Sequence, residues 1–211
     1  GMDTRQLRWG CGFFDLDNDG WQDIFIANGH IYPEIDKLNL DIRYRQPKVV
    51  YLNLRNGRFQ NVSQQLGEAI QHPISARGCA FGDFDNDGDI DILLNPVNDY
   101  PELLRCDNAT GNHWIKIRTI GTKSNRSGIG ARIRCVAGSL QQIDEVRSGA
   151  SYASQNDLRV HFGLGKAPKA DRVEIRWPSG QVDVLENLEA DQLFYVEEGK
   201  GIVRKVSFPP K

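Results

Sequence analysis

Asp15-Leu16-Asp17-Asn18-Asp19-Gly20-Trp21-Gln22-Asp23 returns 68 residues later as Asp83-Phe84-Asp85-Asn86-Asp87-Gly88-Asp89-Ile90-Asp91. Both stretches read D-x-D-x-D-G-x-x-D. Carboxylates at positions one, three, five and nine can wrap several oxygens around one hard cation, and the glycine at six lets the backbone turn. Two calcium sites are the expectation. The first would use the side chains of Asp15, Asp17, Asp19 and Asp23 with the Trp21 carbonyl. The second would use Asp83, Asp85, Asp87 and Asp91, with the Asp89 carbonyl in the role of Trp21. An EF-hand needs flanking helices and a glutamate at position twelve, where Ile26 and Leu94 stand. Four convergent carboxylates repel one another unless a cation compensates, so the predicted role of the ion is structural.

Working outward, Arg8-Trp9-Gly10-Cys11-Gly12-Phe13-Phe14 enters the first loop and Ile24-Phe25-Ile26-Ala27-Asn28-Gly29 leaves it. Arg77-Gly78-Cys79-Ala80-Phe81-Gly82 and Ile92-Leu93-Leu94-Asn95-Pro96 frame the second. Short apolar runs bounded by Gly and Asn read as strand, loop, strand. A repeat of this length is one β-unit that cannot bury its own apolar face, so units stack or arrange radially. Between the copies, Arg55-Asn56-Gly57 predicts a hairpin turn, Ser63 to Ile70 a brief helix, and residues 29–47 a long loop or short helical turn on the rim. Cys11 and Cys79 occupy equivalent strand positions and read as core thiols. A bridge between Cys106 and Cys135 is the weaker of two readings for that pair.

The segment Asp107-Asn108-Ala109-Thr110-Gly111-Asn112 consists of turn formers and marks a domain boundary. Beyond it, 113–119, 131–136 and 172–177 alternate apolar and polar residues, which indicates strands with one buried and one wet face. Residues 182–185 and 192–196 add further strands. The fold class expected is all-β: a partial β-propeller of about two calcium-binding repeats over residues 1–111, then a C-terminal antiparallel β-sandwich-like domain over 112–200, with 201–211 as a tail.

With 26% charged and 39% hydrophobic residues, the composition is that of a globular chain. No apolar run reaches the length of a bilayer span. The formal net charge of -2 hides halves of -7 and +5, and nine of the 17 acids in residues 1–111 belong to the two loops. The basic residues of the second half are scattered along alternating strands, which argues against a nucleic-acid groove. Gly1-Met2 reads as a cloning remnant. Catalytic constellations are missing: no H-E-x-x-H embraces any of the four histidines, and there is no G-x-S-x-G elbow. Gly163-Leu164-Gly165-Lys166 fails as a phosphate loop, because Val160 and Ala167 replace its first glycine and its hydroxyl residue. The four tryptophans suit burial better than sugar stacking.

The loops in their setting resemble FG-GAP/VCBS repeats of integrin-like β-propellers. The second half is similar to the ASPIC/UnbV domain through Ser124-Asn125-Arg126-Ser127-Gly128-Ile129-Gly130-Ala131-Arg132 and Ser148-Gly149-Ala150-Ser151-Tyr152-Ala153-Ser154-Gln155. The likeness continues through His161-Phe162-Gly163-Leu164-Gly165 and Val173-Glu174-Ile175-Arg176-Trp177-Pro178-Ser179-Gly180. The order, repeats followed by this domain, is similar to that of bacterial secreted proteins related to cartilage acidic protein. The resemblance implies a non-enzymatic module, extracellular, cell-surface or periplasmic, that binds a protein or carbohydrate ligand. Asn125, Arg126, Arg132, Tyr152, Gln155 and His161 are the polar residues of its motifs and the nominated ligand set, against the alternative that they cap turns. An unclosed pair of blades would leave sheet edges and an apolar face exposed, to be capped by residues 29–47, packed on the second domain, or covered by self-association through those edges. Two other readings stand beside this one: an accessory domain of a secreted hydrolase, and a lectin whose calcium touches sugar.

Overall fold

Each acidic loop connects two antiparallel strands. The computed structural model describes residues 5–208. In the first repeat β1 (Arg8–Phe14) runs into the loop, β2 (Asp23–Asn28) leaves it, and β3 (Val49–Asn53) and β4 (Phe59–Asn61) complete a four-stranded sheet ordered β1-β2-β3-β4. The β3–β4 hairpin turns at Arg55 and Gly57, both at positive φ. In the second repeat β5 (Ala76–Gly82), β6 (Asp91–Pro96) and β7 (Glu102–Leu104) form a three-stranded sheet. The register is the same in both repeats: Phe13 pairs with Ile24 as Phe81 pairs with Ile92.

These two sheets stack as blades. Phe14, Phe25, Ala27 and Val50 of the first meet Cys79, Phe81, Ile92 and Leu94 of the second in one buried cluster, with Val62, Ile70 and Ile74 closing it. Phe81 lies 5.5 Å from Phe14 and edge-on to Phe25 at 6.1 Å, between ring centroids. The expected helix over 63–70 is split into a 3-10 turn (Ser63–Gln65) and the single helical turn α1 (Glu68–Gln71). Gly67, at φ +85°, interrupts it. Residues 29–47 contain a short 3-10 turn, Pro33–Lys37.

The C-terminal domain is a β-sandwich of two four-stranded sheets. One is ordered β10 (Leu140–Glu145), β9 (Arg132–Ala137), β12 (Lys169–Arg176), β13 (Val182–Glu189). The other is ordered β11 (Val160–Gly165), β8 (His113–Ile120), β14 (Gln192–Glu197), β15 (Gly201–Ser207). Ile115, Ile117, Ile133, Cys135, Val173, Ile175, Trp177, Phe194 and Val196 fill the space between them. Burying that many large side chains at about 1.5–3 kcal/mol each makes this the dominant core of the molecule.

Three expectations are corrected here. Residues 201–207 of the anticipated tail form β15, which pairs antiparallel with β14 because Gly199 and Gly201, both at positive φ, turn the chain back; residues 209–211 lie outside the described residues. The sandwich contains one parallel pair, β14 beside β8, so it is not antiparallel throughout. Cys11, read as a core thiol, is exposed, while Cys79 is buried as read; Cys106 and Cys135 are unbridged, in line with the stronger reading for that pair, and Cys135 sits in the sandwich core. Burial pushes the Cys79 and Cys135 thiols up to about 12, so both are inert.

Candidate metal centres

The two loops repeat each other's hydrogen bonding. Asp19 N and Gly20 N donate to the two oxygens of Asp15 (3.0 and 2.8 Å), and Trp21 N donates to Asp19 Oδ1 (2.7 Å). Asp87 N, Gly88 N and Asp89 N follow the same pattern on Asp83 and Asp87 (3.1, 2.8 and 2.9 Å). Asn18 and Asn86 take φ of 58° and 63°, and Gly20 and Gly88 take 88° and 98°. Left-handed conformations are tolerated by asparagine and glycine and disfavoured elsewhere, so these residue types recur at positions four and six. The ninth position closes each loop: Asp23 accepts from Leu16 N and Asn53 N (2.8 and 2.7 Å), and Asp91 from Phe84 N and Cys106 N (2.9 Å each).

Carboxylate oxygens of Asp15, Asp17 and Asp19 come within 4.8 Å of one another, as do those of Asp83, Asp85 and Asp91. The structure thus gathers three of the four expected side chains in each loop, omitting Asp23 from the first group and Asp87 from the second. Burial pushes Asp15 up to about 8 and Asp23 up to about 6, the neighbouring carboxylates adding to the rise against the hydrogen bonds they accept. Loss of water also comes first in raising Asp17 and Asp91, and nearby aspartates add to it. Each set is all-oxygen and crowded, which is the donor chemistry that suits a hard divalent cation. Protein cations supply only part of the compensation: Arg55 Nε donates to Asp19 Oδ2 (2.8 Å), and Lys116 pairs with Asp83.

Lys116 belongs to the sandwich, and so does most of what surrounds the loops. Along β8, Ile115 and Ile117 enter the sandwich core while Trp114 and Lys116 face the loops, and along β11 His161 and Gly163 face them beside Lys116. The fit is close. A Cβ on Gly163 would lie 2.1 Å from Asp15 Oδ2, and one on Gly88 would lie 1.8 Å from Trp114 Nε1. Gly165 N donates to Asn18 O (2.8 Å), Asn112 Nδ2 to Asp17 O (2.8 Å), and Arg159 to Asp83 O (2.8 Å) and Asn86 Oδ1 (2.6 Å).

Asn18 ties the two loops together, its Nδ2 donating to Asp89 Oδ1 (2.9 Å) and Gly88 O (3.2 Å). Its Oδ1 must then accept from His161 Nε2 (2.7 Å), which makes His161 the neutral Nε2–H tautomer with Nδ1 bare. Burial, with Lys116 and Arg159 adding to it, holds that imidazole well below its usual range. A cavity of about 90 Å³ at this seam is lined by Asp15, Asp83, Lys116, Arg159 and His161 among others.

Two protein families match the chain in this order. Residues 15–94 match the family described as FG-GAP-like repeat, and residues 121–203 match that described as ASPIC and UnbV. The chain joins FG-GAP-like repeats to an ASPIC/UnbV domain. Among curated proteins it is similar to cartilage acidic protein 1 of Homo sapiens, 26% identical over 195 residues that cover 87% of this chain and 27% of that protein. The protein of the same name from Xenopus tropicalis is 26% identical over 80% of this chain and 25% of its own length, and that from Mus musculus 25% identical over the same shares. The chain spans about a quarter of the length of these relatives.

Within the ASPIC/UnbV domain the six nominated residues fall in different places. Asn125 bonds both Ile129 N and Ile129 O (2.8 and 2.7 Å), closing the turn around Gly128 at φ +69°. Arg126 is exposed, with its carbonyl accepting from Gly121 N (3.0 Å), and Arg132 is exposed beside Glu145. Gln155 accepts from Gly149 N and donates to Arg147 O and Asn156 O. Tyr152 is exposed and lies 5.0 Å from the Trp9 ring of the repeats. Of the six, His161 is the one that reaches the acidic loops. Asn18, Lys116 and Arg159 join it at the seam, and none of them stands out as a site residue in the sequence. Asn18 carries a signal, since asparagine recurs at position four of both loops; Lys116 carries none, because it sits on a face that alternation assigns to water.

Proposed function

We propose that this chain is a calcium-stabilised, non-catalytic recognition module that works outside the cytoplasm and binds a protein or carbohydrate ligand. The observation that carries the reading is the doubled loop, in which three carboxylates, two of them buried, converge within 4.8 Å at each blade. Asp15, Asp17 and Asp19 would hold one calcium ion and Asp83, Asp85 and Asp91 the other, with Asp23, Asp87 and the Trp21 and Asp89 carbonyls completing the shells. The ion supplies positive charge where Arg55 and Lys116 supply only part of what is needed. Its place at the seam makes it a staple for blades and sandwich alike. The extracellular reading is supported by likeness to proteins named cartilage acidic protein 1, and by the millimolar calcium that weak structural sites need.

Calorimetric titration of chelator-treated protein tests this. Two calcium-binding events, one lost in Asp17→Ala and the other in Asp85→Ala, are expected. Absence of calcium binding, with a melting temperature unchanged by chelator, would overturn the reading.

A further inference from the structure

Both loops carry asparagine at position four, but the two side chains do different things. Asn86 Oδ1 accepts from Arg159 Nη1 (2.6 Å), so it reaches the sandwich. Asn18, 2% exposed, turns instead into the other loop, and its Nδ2 places both hydrogens on consecutive residues there, Gly88 O (3.2 Å) and Asp89 Oδ1 (2.9 Å). Its Oδ1 is held by His161 Nε2 (2.7 Å), so flipping the amide would set oxygen against oxygen. Each end of this contact adjoins expected calcium ligands. Asn18 stands between Asp17 and Asp19, with its backbone at φ 58°. At the far end, Gly88 N and Asp89 N donate to Asp83 Oδ2 and Asp87 Oδ1 (2.8 and 2.9 Å), and the Asp89 carbonyl is itself an expected ligand of the second ion. Asp89 Oδ2 is fixed in turn by Asn108 N (2.6 Å).

We propose that the two loops take up calcium cooperatively and that Asn18 is the residue that couples them; this rests on the calcium reading of both loops. With an ion in the first loop, Asp15, Asp17 and Asp19 hold a common position and fix the backbone that carries Asn18. The Asn18 amide then holds residues 88 and 89 where the second site requires them, so less of the second loop remains to be ordered when it fills. Coupling of this kind is reciprocal: a filled second loop strengthens the first by the same factor. Repulsion between the two ions acts the other way, but it does not pass through Asn18. Asn86 has no part in the coupling, because its amide oxygen is bound to the sandwich and not to the first loop.

Calcium titration calorimetry on the wild-type chain, Asp17→Ala and Asp85→Ala measures the coupling. The product of the two wild-type dissociation constants should be smaller, by about fivefold or more, than the product of the constants that remain in the two single-site variants. Asn18→Gly removes the amide while tolerating the positive φ. In that background the two products should become equal, or the order should reverse under ion repulsion, whereas Asn86→Gly should keep the wild-type ratio. Equal products with Asn18 present overturn the proposal and leave both calcium sites standing; an unchanged ratio in Asn18→Gly overturns the role of Asn18. Absence of calcium binding at both loops would instead remove the reading on which the proposal rests. A second readout does not depend on how well Asn18→Gly folds. In Asp85→Ala, calcium at the first loop should slow amide hydrogen exchange at Gly88 and Asp89, and exchange there that ignores calcium overturns the coupling.

Discussion

Glu198 holds together a turn of the ASPIC/UnbV domain. Its Oε2 accepts from the backbone N–H groups of Thr122, Lys123 and Ser124 (2.8 Å each), and its Oε1 accepts from the Ser124 and Ser179 hydroxyls. Burial works to raise this carboxyl, but the hydrogen bonds from Ser124, Ser179 and Thr122 outweigh it and bring it down to about 2. A carboxylate depressed in the folded state contributes stability that is complete above its unfolded value near 4.5 and is lost as pH falls towards 2. Wild-type protein should accordingly lose stability between about pH 5 and pH 2. Glu198→Gln should cost about 1.5–3 kcal/mol at pH 7 and flatten that part of the profile; denaturant melts at pH 7 and pH 3 check this, and an equal loss at both pH values would contradict it. At the loops, Asp17→Ala or Asp85→Ala should weaken calcium at its own site by about tenfold or more, read by titration calorimetry. The aspartates and the loop glycines are legible in the sequence because carboxylate spacing and positive-φ turns are local patterns. Glu198 is not, since its partners come from residues 122–124 and 179, far away along the chain.

Among elements, the fit of strand against loop decides more than the propensity of either. Gly88 sits at φ +98° with the Trp114 indole against it, and Gly163 lies over Asp15 and Asn18. Gly88→Ala should destabilise by about 1–3 kcal/mol through overpacking and backbone strain together, measured by denaturant unfolding. Gly163→Ala should selectively weaken calcium binding at the first loop, because Asp15 must move to admit the methyl group. Unchanged affinity there would show that the strand can yield instead. Alternation locates β8, β9 and β12 in the sequence, but it cannot say what lies on the outer face of a strand. Lys116 reads as solvent-facing, yet it meets the acidic loops together with Trp114, His161 and Gly163. β10 and β11 escape the pattern because β10 is polar at most positions and β11 contains two glycines. β15 reads as tail because four of its seven residues are Gly, Arg, Lys and Ser.

Across the molecule, the loops lie at the seam, so calcium should govern how firmly the blades hold the sandwich. At a free concentration of 100 times Kd, each ion adds about 2.7 kcal/mol to the folded state, a shift of roughly 5–10 °C in Tm for a chain of this size. Beyond the shift itself, chelator should raise hydrogen exchange in β8, β11 and residues 105–112 while β9 and β12, on the far sheet of the sandwich, stay protected. Exchange that rises uniformly, or only within the loops, would place the ions apart from the seam.

Local sequence is enough to specify the two acidic loops, the strands that frame them, the all-β class and the turn-rich division near residues 107–112. Those features rest on short-range chemistry: carboxylate spacing, positive-φ turns and two-residue alternation are complete within about ten residues of chain. Docking in three dimensions is what lays β8 and β11 against the loops, pairs Lys116 with Asp83, and lets Asn18 join the loops to each other and to His161. Contacts between residues 33 to 143 positions apart depend on how blades and sandwich meet, and that meeting is set by the shape and charge of faces that no local pattern encodes.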